Sequence, residues 1–206
     1  MESSTVFLVD DEEEVRNTLS RALTKRGFKV EAFDAANDFF QSYDPDRPGC
    51  LVLDFGMPEM NGLELQSLIN ASNISIPIIF ISGHGGISES VQAMKAGAID
   101  FLEKPFRQSE LVACIQTAFE RDLELRQQVN EHSNAIERFG RLTSREREIA
   151  IYMMENPSST SSKEIGRELN ISPRTVDHHR ARILEKLELG SVIELVEFGM
   201  KARLLR

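Results

Sequence analysis

The 206-residue chain is 41% hydrophobic, which is enough to build packed cores and excludes wholesale disorder. No stretch approaches the roughly 18 apolar residues of a membrane span, and Met1-Glu2-Ser3-Ser4 lacks the basic and apolar regions of a signal peptide, so a cytoplasmic protein with no membrane partner is expected. A net charge of −9 alone argues against nucleic acid, but residues 1–120 hold 9 Lys and Arg against 19 Asp and Glu (−10) while residues 121–206 hold 15 against 14 (+1), so an acidic front precedes a locally basic back.

Along residues 5–119, short apolar runs alternate with amphipathic stretches. Thr5–Val9, Lys29–Phe33, Leu51–Leu53, Ile78–Ile81 and Ile99–Leu102 have strand length and are rich in β-branched or aromatic residues. Helical patterns begin near Glu13, Ala35, Gly62, Ser88 and Ser109; Asn61-x-x-Glu64 is cap-like, and Gly27 and Gly97 stand where C-cap glycines should. Five β-α repeats predict a doubly wound five-stranded parallel α/β sheet. Cys50 and Cys114 lie among apolar positions and are expected to be reduced core residues.

Residues 121–141 are highly charged, with Leu125, Val129, Ile136 and Phe139 at helical spacing, which predicts a helical linker continuing the helix from Ser109; a flexible tether is the alternative. From Leu142 onward a small all-α domain of four helices is expected. Capping boxes at Thr143-x-x-Glu146 and Ser161-x-x-Glu164 open the first two. Ser172-Pro173 opens a third running to about Leu187, and Val192–Leu205 reads as the fourth.

Two constellations carry chemistry. In an open parallel sheet, ligands collect beyond the carboxyl ends of the strands. Asp10 and Asp11 follow the first strand, Asp54 ends the third, Ser82 the fourth and Lys104 the fifth. Crowded carboxylates repel, and Mg²⁺ relieves this while leaving Asp54 able to attack phosphorus in line. Lys104 can then pair with a phosphoryl oxygen and the Ser82 hydroxyl can bond to another. Each residue alone is as easily a turn residue; it is matching types at successive strand ends that point to one shared pocket. The second constellation is Lys163–Leu187, helix, short turn (Asn170-Ile171-Ser172) and helix, the pattern of a helix-turn-helix whose second helix enters the major groove of double-stranded DNA. Thr175, His178 and His179 are the candidates to face bases, Arg182 and Lys186 to touch backbone phosphates, and Arg174 on the same helix is a further DNA-binding candidate. Asp177 and Glu185 leave an ordinary solvated amphipathic helix as the alternative.

These residues resemble two known families. Val9-Asp10-Asp11-Glu12, Leu53-Asp54-Phe55-Gly56-Met57-Pro58-x-Met60-Asn61-Gly62 and Lys104-Pro105-Phe106 resemble the receiver domain of two-component response regulators. Ile81-Ser82-Gly83-His84-Gly85 and Met94-Lys95-Ala96-Gly97-Ala98-x-Asp100-Phe101 are similar to the FixJ subfamily. Leu142-Thr143-x-Arg145-Glu146-Arg147-Glu148, Lys163-Glu164-Ile165 and Leu169-x-Ile171-Ser172-x-Arg174-Thr175-Val176-x-x-His179-Arg180 resemble the LuxR/NarL-type domain, with a loop from Asn156 to Ser162 longer than usual.

The resemblance implies a flavodoxin-like receiver over 1–120, a linker over 121–141 and a LuxR-type helix-turn-helix over 142–206. It implies phosphotransfer from a sensor histidine kinase to Asp54, with Asp10, Asp11, Asp54 and the Gly56 carbonyl as Mg²⁺ ligands. Ser82 and Phe101 occupy the switch positions, and Lys104-Pro105 is expected to be cis. Gly56 has no side chain where many members carry a polar one, and the switch aromatic is Phe without a hydroxyl. A homodimer formed on phosphorylation through the fourth helix and fifth strand, promoter DNA and RNA polymerase complete the implied partners of a non-enzymatic transcription regulator. Two other readings compete: aspartyl-phosphate phosphohydrolases usually show Asp-x-Asp, which Asp54-Phe55-Gly56 lacks, and a phosphate-independent regulator would keep the pocket as scaffold.

Overall fold

The computed structural model describes residues 4–83, 86–202 and 204. His84 and Gly85 of the FixJ-like motif, and Leu205 of the expected last helix, lie outside the described residues. The chain folds as two compact units, Met1–Arg126 and Gln127–Arg206.

In the first unit, strands β1 (Thr5–Val9), β2 (Lys29–Phe33), β3 (Gly49–Asp54), β4 (Ile78–Ser82) and β5 (Asp100–Glu103) form one parallel sheet in the order β2-β1-β3-β4-β5. Its strands alternate with helices α1 (Glu13–Lys25), α2 (Ala36–Ser42), α3 (Gly62–Ala71) and α4 (Ile87–Lys95), and α5 (Gln108–Gly140) follows. Helices cover both faces, so β1, β3 and β4 are buried throughout and read as continuous apolar runs. The pleat divides them. Phe7, Val9, Leu51, Leu53 and Phe80 pack with Phe39 of α2, Leu65 and Ile69 of α3 and Ala93 of α4. Val6, Leu8, Cys50, Val52, Ile79 and Ile81 pack with Leu19 and Leu23 of α1 and Leu111, Ile115 and Ala118 of α5. The edge strands β2 and β5 are only half-buried.

Gly27 and Gly97 follow α1 and α4 with φ of +91° and +96°, and Lys104-Pro105 is cis. Residues 108–140 are helical throughout, so the segment expected as a linker is helix up to Gly140. Asp122 fastens this helix inside the first unit: its buried carboxylate accepts from Gly49 N at 2.9 Å, while Arg126 binds Asp122 and the carbonyls of Asp46 and Arg47. Cys50 is buried and free; Cys114 is half-buried rather than core, because its thiol donates to Asp100 Oδ2 at 3.2 Å.

In the second unit, α6 (Ser144–Glu155), α7 (Ser162–Glu168), α8 (Pro173–Lys186) and α9 (Val192–Lys201) enclose a core of Ile149, Met153, Ile165, Val176, Ile183, Leu187 and Leu195, joined by Phe139 from the end of α5. Thr143 forms a full capping box with Glu146. Ser161 does not: it accepts from Glu164 N, but its hydroxyl donates to the Glu164 carboxylate at 2.6 Å, so the second half of that box is missing. Helix α9 is shorter than the sequence predicts, ending at Lys201. No helix among the described residues is long and apolar enough to cross a membrane.

Candidate functional site

Parallel register sets the ends of β1, β3 and β4 side by side, Val9 against Leu53 and Asp54 against Ile81, with Ser82 against Glu103 of β5. The residues that end these strands therefore share one rim of the sheet, beside the point where strand order reverses at β1. Lys104 Nζ joins two of them, 2.7 Å from Asp54 Oδ1 and 3.0 Å from Asp10 Oδ2, with Glu12 Oε1 at 3.8 Å. Backbone amides hold the other oxygens: Gly56 N donates to Asp54 Oδ2 at 2.8 Å and Glu12 N to Asp10 Oδ1 at 2.9 Å. Arg16 donates to the carbonyls of Asp10 and Asp11.

Asp10 and Asp54 are buried, so two carboxylates share one ammonium away from bulk water. Burial raises the Asp10 pKa above its ordinary value, against Lys104, which lowers it, and with Asp54, which raises it further. For Lys104, burial would lower the pKa, but its bonds to Asp54 and Asp10 outweigh this and hold it above the ordinary lysine value. Asp11 departs from the expected cluster. It is exposed and its carboxylate makes no hydrogen bond or ion pair with a described residue. Strand β1 ends at Val9 and the chain bends at Asp11, so with Asp10 buried in the pocket Asp11 is left at the rim. Among the described residues no three His, Cys, Asp or Glu side chains are gathered into a metal cage. The donor chemistry nevertheless fits a hard cation, because oxygen ligands carry a negative charge in excess of the one ammonium.

Local sequence fixes this geometry. Asn61 and Glu64 form a reciprocal capping box that starts α3. Gly62 approaches so closely that a Cβ would lie 2.8 Å from Asp54 O and 2.7 Å from the Phe80 ring. Ser82 is buried at the end of β4, and its carbonyl accepts from Lys104 N at 2.7 Å. Half-buried Phe101 stacks on Phe80, centroids 6.1 Å apart, and meets Phe55 edge-on at 5.9 Å, so an aromatic trio runs from the residue after Asp54 to the fifth strand. Nearby, α4 exposes Ile87, Val91 and Met94 along one side.

On α8, Arg174, His178 and Arg182 are exposed and stand at successive i, i+4 positions, one side of the helix. Thr175 is half-buried, its hydroxyl 2.7 Å from that of the N-cap Ser172. His179 is half-buried, with a buried Nδ1 that finds no partner among the described residues. Lys186 differs from expectation. Its Nζ lies 2.6 Å from Oε2 of Glu146, a carboxylate that is 2% exposed. Burial would raise the Glu146 pKa, but Lys186 and the Thr143 backbone and hydroxyl together hold it at about 2. An ammonium engaged this way braces α8 against α6 and is not free for a phosphate. Arg180 likewise donates to Thr160 O, and Ser162 bonds to Asp177, so the long 156–162 loop is tied to α8.

Residues 6–116 match the response regulator receiver domain, and residues 141–198 match the bacterial regulatory proteins of the luxR family. The chain belongs to the two-component response regulators. It is 38% identical over 201 residues to the transcriptional regulatory protein FixJ of Rhizobium meliloti (strain 1021), covering 97% of each chain. It is 38% identical over 199 residues to the transcriptional regulatory protein TdiR of Thauera aromatica, 97% of this chain and 86% of that one. Among solved structures it is similar to the response regulator StyR, with 40% identity, a TM-score of 0.84 and coverage of 97% and 99%. This response regulator is thus a transcription regulator built from a receiver and a LuxR-type DNA-binding domain.

Several residues of the regulator's sites were not legible from the sequence. Glu146 reads as a helix cap, and its tie to a lysine 40 positions on has no local signal. The bonds of Arg16 to the Asp10 and Asp11 carbonyls and the ring contacts of Phe55 with Phe80 and Phe101 likewise have no local signal, although Phe55 follows Asp54 directly.

Proposed function

We propose that this response regulator accepts a phosphoryl group on Asp54 from a sensor histidine kinase, dimerises, binds double-stranded promoter DNA and activates transcription with RNA polymerase in the cytoplasm. Residues 1–120 serve as receiver, 121–141 as linker and 142–206 as DNA reader. The observation that carries this reading is the Lys104 ammonium between Asp54 and Asp10, at 2.7 and 3.0 Å, at the carboxyl ends of parallel strands.

Asp54 attacks phosphorus through a carboxylate oxygen as the bond to the kinase's histidine nitrogen breaks, giving an acyl phosphate and freeing the imidazole. Lys104 exchanges part of its bond to Asp54 for a phosphoryl oxygen, and the Ser82 hydroxyl donates to another. Asp10, Asp11, Asp54 and the Gly56 carbonyl would hold Mg²⁺, which supplies neutralising charge to the phosphoryl oxygens. Phe101 then turns inward, and since Phe buries no hydroxyl the inward state carries no desolvation cost for one. The exposed apolar side of α4 beside β5 supports that surface as the dimer interface.

On DNA, Arg174, His178 and Arg182 form the contacting side of α8, with Thr175 and His179 flanking it, while Lys186 supports the helix from behind. Labelling from radioactive acetyl phosphate tests the phosphoacceptor. Wild type takes up label with Mg²⁺ and takes up none when EDTA is present from the start, and the nearly isosteric Asp54→Asn takes up none with Mg²⁺; undiminished labelling of that variant moves the site elsewhere.

A further inference from the structure

Little burial holds α4 in place. Ala93 is its one buried residue, while Ile87, Val91 and Met94 are 86%, 44% and 45% exposed. Its N-cap, Gly86, has no side chain to cap the first turn. The last turn is fastened differently. Gln66 Nε2 donates to Ala93 O at 3.2 Å, and Asn70 Nδ2 donates to Ala96 O at 3.1 Å. The two amides stand one turn apart on α3, and the two carbonyls they reach are three residues apart at the end of α4, so rows on both helices match.

Nothing but a donor suits these positions, because turning either amide round would set its oxygen against a carbonyl. Helix α3 is itself rigidly placed by the Asn61 capping box and by Gly62 against Asp54 O, so the amides tie α4 to the element that follows the phosphoacceptor strand. The tie is incomplete. Gln66 is 1% exposed and its Oε1 is buried with no partner among the described residues. A buried oxygen left unpaired destabilises the arrangement that holds it, so this position of α4 is restrained without being deeply stabilised.

We propose that Gln66 and Asn70 form an amide clamp that restrains α4 in the resting receiver, so that weakening it shifts the molecule toward its activated form without phosphorylation. The link to activation rests on the reading above, in which α4 and β5 form the dimer surface. Gln66→Leu removes the donor and the orphaned oxygen together; Asn70→Ala, at an exposed position, removes the second donor with little risk to folding.

The test uses the full chain of wild type and both variants, followed by hydrogen exchange of the α4 amides, the rate of labelling by acetyl phosphate with Mg²⁺, and sedimentation without and with beryllofluoride. Each variant should exchange faster at the C-terminal end of α4, by about two- to tenfold for one lost hydrogen bond. It should label faster by a similar factor and show dimer without beryllofluoride, reaching the wild-type dimer level with it. Unchanged exchange in both variants overturns the clamp. Faster exchange with wild-type labelling and wild-type monomer overturns its regulatory role. A wild type that neither labels nor dimerises contradicts the phosphoacceptor reading instead, and the exchange data still decide the clamp.

Discussion

Lys104 and Glu146 are the two residues whose surroundings do most to define the molecule, and they were legible to different degrees. The position of Lys104 before Pro105, at the end of a β-rich run, marks it for the pocket, and it lies between Asp54 and Asp10. Lys104→Ala removes two charge-assisted bonds from buried carboxylates, so labelling by acetyl phosphate should slow by about 10- to 100-fold, the equivalent of one such bond. Glu146 reads in the sequence only as a cap. Its pKa, about 2 in the folded chain against an ordinary 4.5, makes the carboxylate a pH-dependent source of stability. Because the folded value is the lower one, the contribution is fully present above about pH 4.5 and is lost as pH falls toward 2. It amounts to roughly 3 kcal/mol. Calorimetry of the full chain between pH 6 and 3 should show the transition of the second unit falling more steeply in wild type than in Glu146→Gln; parallel curves would mean that Glu146 is not the source of this pH dependence.

At the scale of elements, the five strands and their helices were readable because each buried strand is a continuous apolar run and each helix has a 3.6-residue pattern. Bounds moved by a residue or two, and the caps separated by detail. Asn61 and Thr143 form complete boxes, whereas the Ser161 hydroxyl donates directly to the Glu164 carboxylate. Pattern could not tell which cations of α8 are free, because ion pairing reaches across the fold. Arg182→Ala should therefore lower the salt slope of DNA binding by about one unit. Lys186→Ala should leave that slope unchanged and destabilise the second unit by about 2 kcal/mol, since Glu146 loses its partner. Substitutions at His178 should instead alter sequence preference, with about 1–3 kcal/mol at stake for each mismatched contact. Equal slopes for wild type and Arg182→Ala would argue that this side of α8 does not meet DNA.

For the molecule as a whole, the division of charge was the first sign of two tasks, an acidic front of −10 over residues 1–120 and a back of +1. What charge and motif could not convey is the packing through which a change at Asp54 would have to reach α4: the Phe55, Phe80 and Phe101 rings and the carbonyls that Gln66 and Asn70 hold. If Ser82 relays phosphorylation to α4 and β5, the coupling to dimerisation should be on the order of 1–3 kcal/mol. Ser82→Ala with beryllofluoride should then dimerise about 5- to 150-fold more weakly than wild type. If a phosphoryl group on Asp54 drives assembly, sedimentation velocity of wild type and Asp54→Asn, each with acetyl phosphate and Mg²⁺, should show dimer for wild type and monomer for the variant; equal dimerisation of the two would contradict that coupling.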